Sequence, residues 1–208
     1  DTSIPLSKYA PINLSATNEL LQKVDVSLLS SLETFINEQL SRQKALVGFG
    51  GYNEIRTLYQ RSTHFTKSES LNNRNIHLGI DLWTAVGISV LAPLNGTVHS
   101  FKNNTNYGDY GPTIILKHQI DGVIFYTLYG HLSLESIASL EVGKIFKQGE
   151  VIGVLGDATV NGDYPPHLHF QIIKDIKDYK GDYPGVCSKT DLDFYLANCP
   201  DPNLLLKL

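Results

Sequence analysis

At 208 residues the chain is long enough to bury a sizeable core, as one domain or one domain with an appendage. It is 42% hydrophobic and 18% charged with a net charge of −4, and no basic run or stripe offers a footprint for nucleic acid. No apolar stretch reaches the ~18 residues that a membrane span requires.

A chain that begins at Asp1 and holds no Met is expected to be a processed form, from which a signal peptide could have been removed. Its two cysteines, Cys187 and Cys199, are too few for a disulfide scaffold or a Cys-rich zinc site. One bridge and two free thiols are both open.

From about Asn18 to Gln43 the spacing of Leu28, Leu32, Phe35, Ile36, Gln39 and Leu40 predicts a helix, with Asp25 and Ser27 as N-cap candidates. The cluster Gly48, Gly50 and Gly51 is expected to end it. Residues 1–51 therefore read as a helical segment packed on a core that occupies 52–208. Within that core, 52–75 reads as a polar, irregular covering segment and 175–208 as a C-terminal tail.

After Ile76 short β-rich runs alternate with glycine: Ser89–Pro93, Thr97–Phe101, Thr113–Lys117, Val123–Tyr129, Lys144–Phe146, Val151–Leu155 and Leu168–Lys174. That pattern predicts a mainly β fold, a two-sheet antiparallel core carrying an N-terminal helix. The loops Asn103–Gly111 and Asp157–Pro166, rich in Gly, Asn, Asp, Pro and Tyr, are expected to wall a cleft.

Of seven histidines, those in three segments stand out. In His77-Leu-Gly-Ile-Asp81, positions i and i+4 of a straight strand would stand ~13 Å apart, too far for one ion. They converge only on a helical turn or where the strand bends, and Gly79 permits a bend. In His167-Leu-His169-Phe-Gln171, alternation places both imidazoles on one face, ~6–7 Å apart at Cα. The preceding Pro165-Pro166 forces an extended entry into that strand. In Tyr129-Gly130-His131, the histidine sits where an apolar run ends. Singly, each has a plainer reading as a strand-edge or packed histidine. Together they offer a carboxylate and imidazoles for a three-ligand zinc site, which leaves a fourth tetrahedral position for water, with histidines to spare for proton transfer.

This combination resembles the LytM/lysostaphin-type zinc endopeptidases, over about half of the chain from Ile76 to Lys174. Flanking runs agree: Ala92-Pro93-Leu94-Asn95-Gly96-Thr97-Val98, Gly149-Glu150-Val151-Ile152-Gly153 and Pro166-His167-Leu168-His169-Phe170. The resemblance implies a duplicated-hybrid-motif-like β core, one zinc ion on His77, Asp81 and His169, and His131 and His167 as the catalytic pair. It implies hydrolysis of peptide bonds through a metal-activated water, in stem or cross-bridge peptides of peptidoglycan, by a secreted or cell-envelope protein with the cytoplasm as the alternative.

Tyr107 and Tyr110 are candidate substrate-binding residues of a loop wall. Gly50-Gly51-Tyr52-Asn53-Glu54-Ile55-Arg56, Pro184-Gly185-Val186 and the Cys-Pro-Asp-Pro-Asn tail look like a subgroup found fused to class-III aminotransferases, for which a small peptide is the alternative substrate. Two other functional classes compete. A non-catalytic regulatory module of this fold would lose metal ligands that are kept here, and a sugar phosphocarrier would lack the paired H-x-x-x-D and H-x-H. His64, His99 and His118 receive no role.

Overall fold

The computed structural model describes residues 3–61 and 73–208. Its strands are β1 (Tyr9–Pro11), β2 (Val47–Gly50), β3 (Ile76–His77), β4 (Ile80–Trp83), β5 (Ser89–Leu91), β6 (Gly96–Asn104), β7 (Gly111–Ile120), β8 (Val123–Gly130), β9 (Ile145–Phe146), β10 (Val151–Val154), β11 (His167–Ile173) and β12 (Val186–Cys187). Four α-helices accompany them among the described residues: α1 (Leu29–Gln43), α2 (Glu135–Ala138), α3 (Leu192–Asn198) and α4 (Asn203–Leu206).

The main sheet runs β1-β2-β4-β11-β8-β7-β6-β9, and the pairs β10-β5 and β12-β3 form two small sheets. The fold is mainly β, as expected, but the all-antiparallel expectation needs correction. β1 pairs parallel with β2, so the main sheet is mixed. The two additional strands come from the N-terminal segment, which thereby extends the sheet as well as packing a helix on it. The strongest strand signals, β6, β7, β8 and β11, fall within a few residues of the predicted runs.

α1 is shorter than its sequence pattern. It begins at Leu29 with Leu28 in the cap position and no side-chain cap. Upstream, Asn18 and Asp25 spend their side chains on local backbone: Asn18 Oδ1 accepts from Leu20 N at 3.0 Å, and Asp25 Oδ1 accepts from Ser27 N at 3.0 Å. Such bonds compete with helical ones and hold 18–28 in turns. The helix ends at Lys44, in a left-handed conformation at φ 53°, whose N–H closes on Leu40 and Ser41 carbonyls. The glycines expected to stop it lie instead in and after β2.

Side-chain alternation on β11 decides where the site can be. Phe170 and Ile172 point into the main core with Ile114, Leu116 and Tyr129, beneath Val90 of β5 and Ile152 of β10. His167, His169, Gln171 and Ile173 take the opposite face. There Ile173 joins a second cluster with Ile115, Leu128, Tyr183 and Cys199. A third cluster binds Leu32, Phe35 and Ile36 of α1 to Trp83, Tyr164 and Val186. The histidines of β11 thus lie between a cluster built by the N-terminal segment and one built by the C-terminal tail.

Candidate metal centre

His169 stands opposite Asp81 across the β11–β4 pair and opposite Gly130 across β11–β8. Antiparallel neighbours carry side chains ~5 Å apart on the same face, so Asp81 and His169 meet by register alone. His77 arrives differently. The chain leaves β3, which belongs to the small sheet with β12, and enters β4 of the main sheet across Leu78 and Gly79. That break swings His77 over Asp81, the bend that the i, i+4 spacing required.

His77 Nε2 lies 2.9 Å from His169 Nδ1 and 3.2 Å from Asp81 Oδ1, and His169 Nδ1 lies 3.2 Å from the same oxygen. Hydrogen-bond partners fix which nitrogen carries each proton. His77 Nδ1 faces the Gly51 carbonyl at 3.0 Å, which only accepts, so Nδ1–H donates there. His169 Nε2 faces Gln171 Oε1 at 3.0 Å, while the Gln171 amide nitrogen donates to Pro184 O and Cys199 Sγ. His169 therefore donates through Nε2–H. What remains is two imidazole lone pairs and one carboxylate oxygen aimed at a common point with no proton between them.

Three buried acceptors so placed repel one another unless a cation lies among them. Tetrahedral ligands about 2.1 Å from zinc stand about 3.4 Å apart, close to the observed triangle. The donor set fits zinc. Among the described residues it is the one group of three that does so.

Electrostatics keep His77 and Asp81 in the state a metal needs. Burial, then the Arg56 charge, pushes His77 down to about 3, so it stays neutral. Burial opposes ionisation of Asp81, but the Arg56 guanidinium bonded to it outweighs burial and holds the carboxyl well below its usual range.

His131 and His167 stand beside the triad with ring centroids 4.1 Å apart. Each donates Nδ1–H to a backbone carbonyl, Asn161 O for His131 and Pro165 O for His167, both at 2.8 Å. This leaves each Nε2 without a proton, and that of His167 is 3.9 Å from Asp81 Oδ1. Burial lowers both; for His131 the neighbouring His167 and His169 add to it. His131 holds a left-handed backbone at φ 64°, a conformation that costs a non-glycine residue about 1 kcal/mol or more. Its N–H donates to Tyr110 O and its carbonyl accepts from Gly156 N, which lock it there.

A cavity of about 310 Å³ opens onto these groups, and both predicted loops wall it. Tyr110 lines it, with its hydroxyl 3.4 Å from His169 Nε2. Burial, then Asp182 and Asp109, raise the Tyr110 phenol well above its usual value, so it remains an O–H donor. Tyr107 is half exposed and does not line the cavity. His118 is buried between Asn95 O and Thr127 Oγ1, and His99 rests on Ser100 and Tyr126. His64 and much of the segment 52–75 lie outside the described residues. Cys187 and Cys199 are buried and unbridged.

The model of peptidase family M23 matches residues 75–181, half of the chain. The chain belongs to peptidase family M23. Over 126 residues it is 26% identical to the L-Ala–D-Glu endopeptidase of Bacillus subtilis (strain 168), covering 58% of this chain and 36% of that protein. Over 95 residues it is 32% identical to an uncharacterized metalloprotease of Haemophilus influenzae, covering 46% of this chain and 18% of that protein. It thus spans about a third of one relative and less than a fifth of the other. The catalytic domain of lysostaphin from Staphylococcus simulans is 24% identical with a TM-score of 0.41, covering 64% of this chain and 92% of that domain.

Several groups at this M23 centre carry no sequence signal of their own. The Gly51 carbonyl, Gln171 and the Asn161 carbonyl orient histidines. Arg56, with Glu54 behind it, holds the second oxygen of Asp81. Only the run Gly50–Arg56 hinted at them, as a resemblance without chemistry attached.

Proposed function

We propose that the chain is a zinc-dependent metalloendopeptidase that hydrolyses stem or cross-bridge peptides of peptidoglycan, with the ion on His77, Asp81 and His169. The observation that carries this reading is the convergence of three proton-free donor atoms beside two histidines whose Nε2 atoms are also proton-free. When bound, zinc supplies Lewis acidity, polarising a peptide carbonyl and making a water acidic enough to attack near neutral pH.

The remaining work falls to the protein's own side chains. His131 or His167 accepts the proton of the attacking water at Nε2. The imidazolium so formed is stabilised through Nδ1–H by the carbonyl it already contacts, and it returns the proton to the leaving amine. The Tyr110 hydroxyl lines the pocket in which negative charge develops on the carbonyl oxygen, where a fixed donor acts in a water-poor setting. Tyr110 and the apolar wall of Leu14, Leu58 and Tyr59 would seat the peptide. A peptidoglycan substrate carries with it a location in the cell envelope.

The test is digestion of purified peptidoglycan and of oligoglycine peptides, with products identified by mass spectrometry, for the native protein, its chelator-treated form and His167→Ala. New termini from the native protein alone support the reading. Absence of any cleaved peptide bond, with zinc present at one ion per chain, overturns it.

A further inference from the structure

Arg56 is a buried cation at the candidate metal centre that the proton chemistry does not use. It is 2% exposed, in the segment before the residues that match the family model. Its Nη1 donates to Asp81 Oδ2 at 2.5 Å and to Tyr59 Oη at 3.3 Å, and its Nε donates to Glu54 Oε2 at 2.6 Å. The guanidinium lies over the Trp83 ring, 5.6 Å from its centroid. Glu54 in turn accepts the backbone N–H of Leu14 at 3.1 Å through its other oxygen. At Gly51, φ 104°, a Cβ would fall 1.9 Å from Arg56 Nη2 and 2.9 Å from His77 Nδ1, so the bare backbone there lets Arg56 and His77 approach.

A carboxylate with both oxygens free can take a cation through one or through both. Here one oxygen faces His77 and His169, and the other is occupied by a charge-assisted bond to a cation that cannot lose its proton. Rotating Asp81 to present both oxygens would break that bond and leave Arg56 and Glu54 mismatched in a buried setting. The planar fork of an arginine meets both demands by reaching Asp81 and Glu54 from different nitrogens at once, whereas a lysine would have to serve both from one nitrogen on a flexible stem.

We propose that Arg56 is a positioning residue that restricts Asp81 to one-oxygen coordination of the metal, anchored through Glu54 to the N-terminal segment. This rests on the M23 metal-site reading above. It makes coordination number a property set from outside the family-matching residues. A four-coordinate ion keeps a position open for substrate; a chelating Asp81 would occupy it.

Cobalt(II) tests this, because four- and five-coordinate cobalt differ in visible absorption, strong in the first and weak in the second. The full chain is loaded with cobalt alone, as the native protein, Arg56→Met, Arg56→Lys and the charge-balanced pair Arg56→Met with Glu54→Gln. The native protein should bind one cobalt with strong absorption. Arg56→Met and the pair should lose much of that intensity and bind cobalt about 10- to 100-fold more weakly, as loss of an outer-shell partner typically does. Arg56→Lys should fall between. If Arg56→Met does not fold, the pair, which keeps the net charge of the buried group unchanged by removing Glu54's charge along with that of Arg56, carries the comparison. A purely structural Arg56 would lower the melting temperature and leave the spectrum of bound cobalt unchanged, and that result overturns the proposal. A native protein that binds no cobalt would instead remove the metal site itself.

Discussion

Gly79→Ala is the smallest change that probes how tightly the centre is built. A Cβ at Gly79 would lie 2.7 Å from Cε1 and Nε2 of His169 and 2.7 Å from the Phe170 carbonyl oxygen, where ordinary contact begins at 3.4 Å. About 0.7 Å must be found. The carbonyl belongs to β11, paired on both sides, and does not yield. The His169 ring is held at Nε2 by Gln171 and faces His77 at 2.9 Å, while metal–ligand distances tolerate only about 0.2 Å. Overpacking of this kind costs about 1–3 kcal/mol. If that strain falls on the loaded state, zinc affinity drops about 5- to 150-fold. Competition with a chromophoric chelator measures the affinity, and chemical denaturation of metal-free protein measures strain that falls on the fold instead. Affinity within twofold of native, with an unchanged denaturation midpoint, would mean that His169 is free to move and would refute the reasoning.

Other outcomes follow from the same geometry. His169→Ala and Asp81→Ala should lose zinc by elemental analysis, whereas His167→Ala should retain about one ion per chain and lose hydrolysis; the reverse pattern would exchange the two histidines' roles. Below pH 6.5, metal-free protein should become less stable: His77, His131 and His167 have lowered folded values, so the unfolded chain binds more protons there. Their contribution is present above the unfolded value and is lost as pH falls toward the folded ones, by about 1.4 kcal/mol per histidine per unit. Denaturation midpoints that stay level from pH 7.5 to 4.5 would contradict this. Burial raises the Cys187 and Cys199 thiols to about 12 and about 11, so iodoacetamide should spare the native protein and its activity and label both residues after unfolding. Rapid labelling of the native protein would place a thiol at the surface.

How much was legible in the sequence depended on whether a signal was local. β6, β7, β8 and β11 are long and alternate cleanly, so period alone located them. β1 and β2 are three and four residues, one ending in Pro11 and the other carrying two glycines; pairing with β4 makes β2 a strand, and pairing with β2 makes β1 one. The start of α1 misled because Leu28 continues the apolar spacing while Asn18 and Asp25 withdraw the backbone from the helix. At the site, His77, Asp81 and His169 announced themselves as residue types in a pattern, although spacing alone left open which histidine of His167-Leu-His169 faces the metal. Gln171 was read only as a polar strand position, and Arg56 as part of a glycine-rich run. Their roles exist only across 2 and 25 residues of folded chain, one on a shared strand face and one through tertiary contact.

The place of β11 in the sheet also sets an order of assembly. It lies between β4 and β8 yet is made after both, and it brings His169 to His77 across 92 residues of sequence. While the chain emerges from the ribosome, β4 and β8 have no strand between them, and a nascent chain that ends before β11 carries His77 and Asp81 without their third partner. Closing such long loops is slow because chain entropy is lost before the contacts repay it. Completion of the candidate metal centre therefore comes late in folding, after strand insertion, and a chain interrupted before residue 169 carries only part of it.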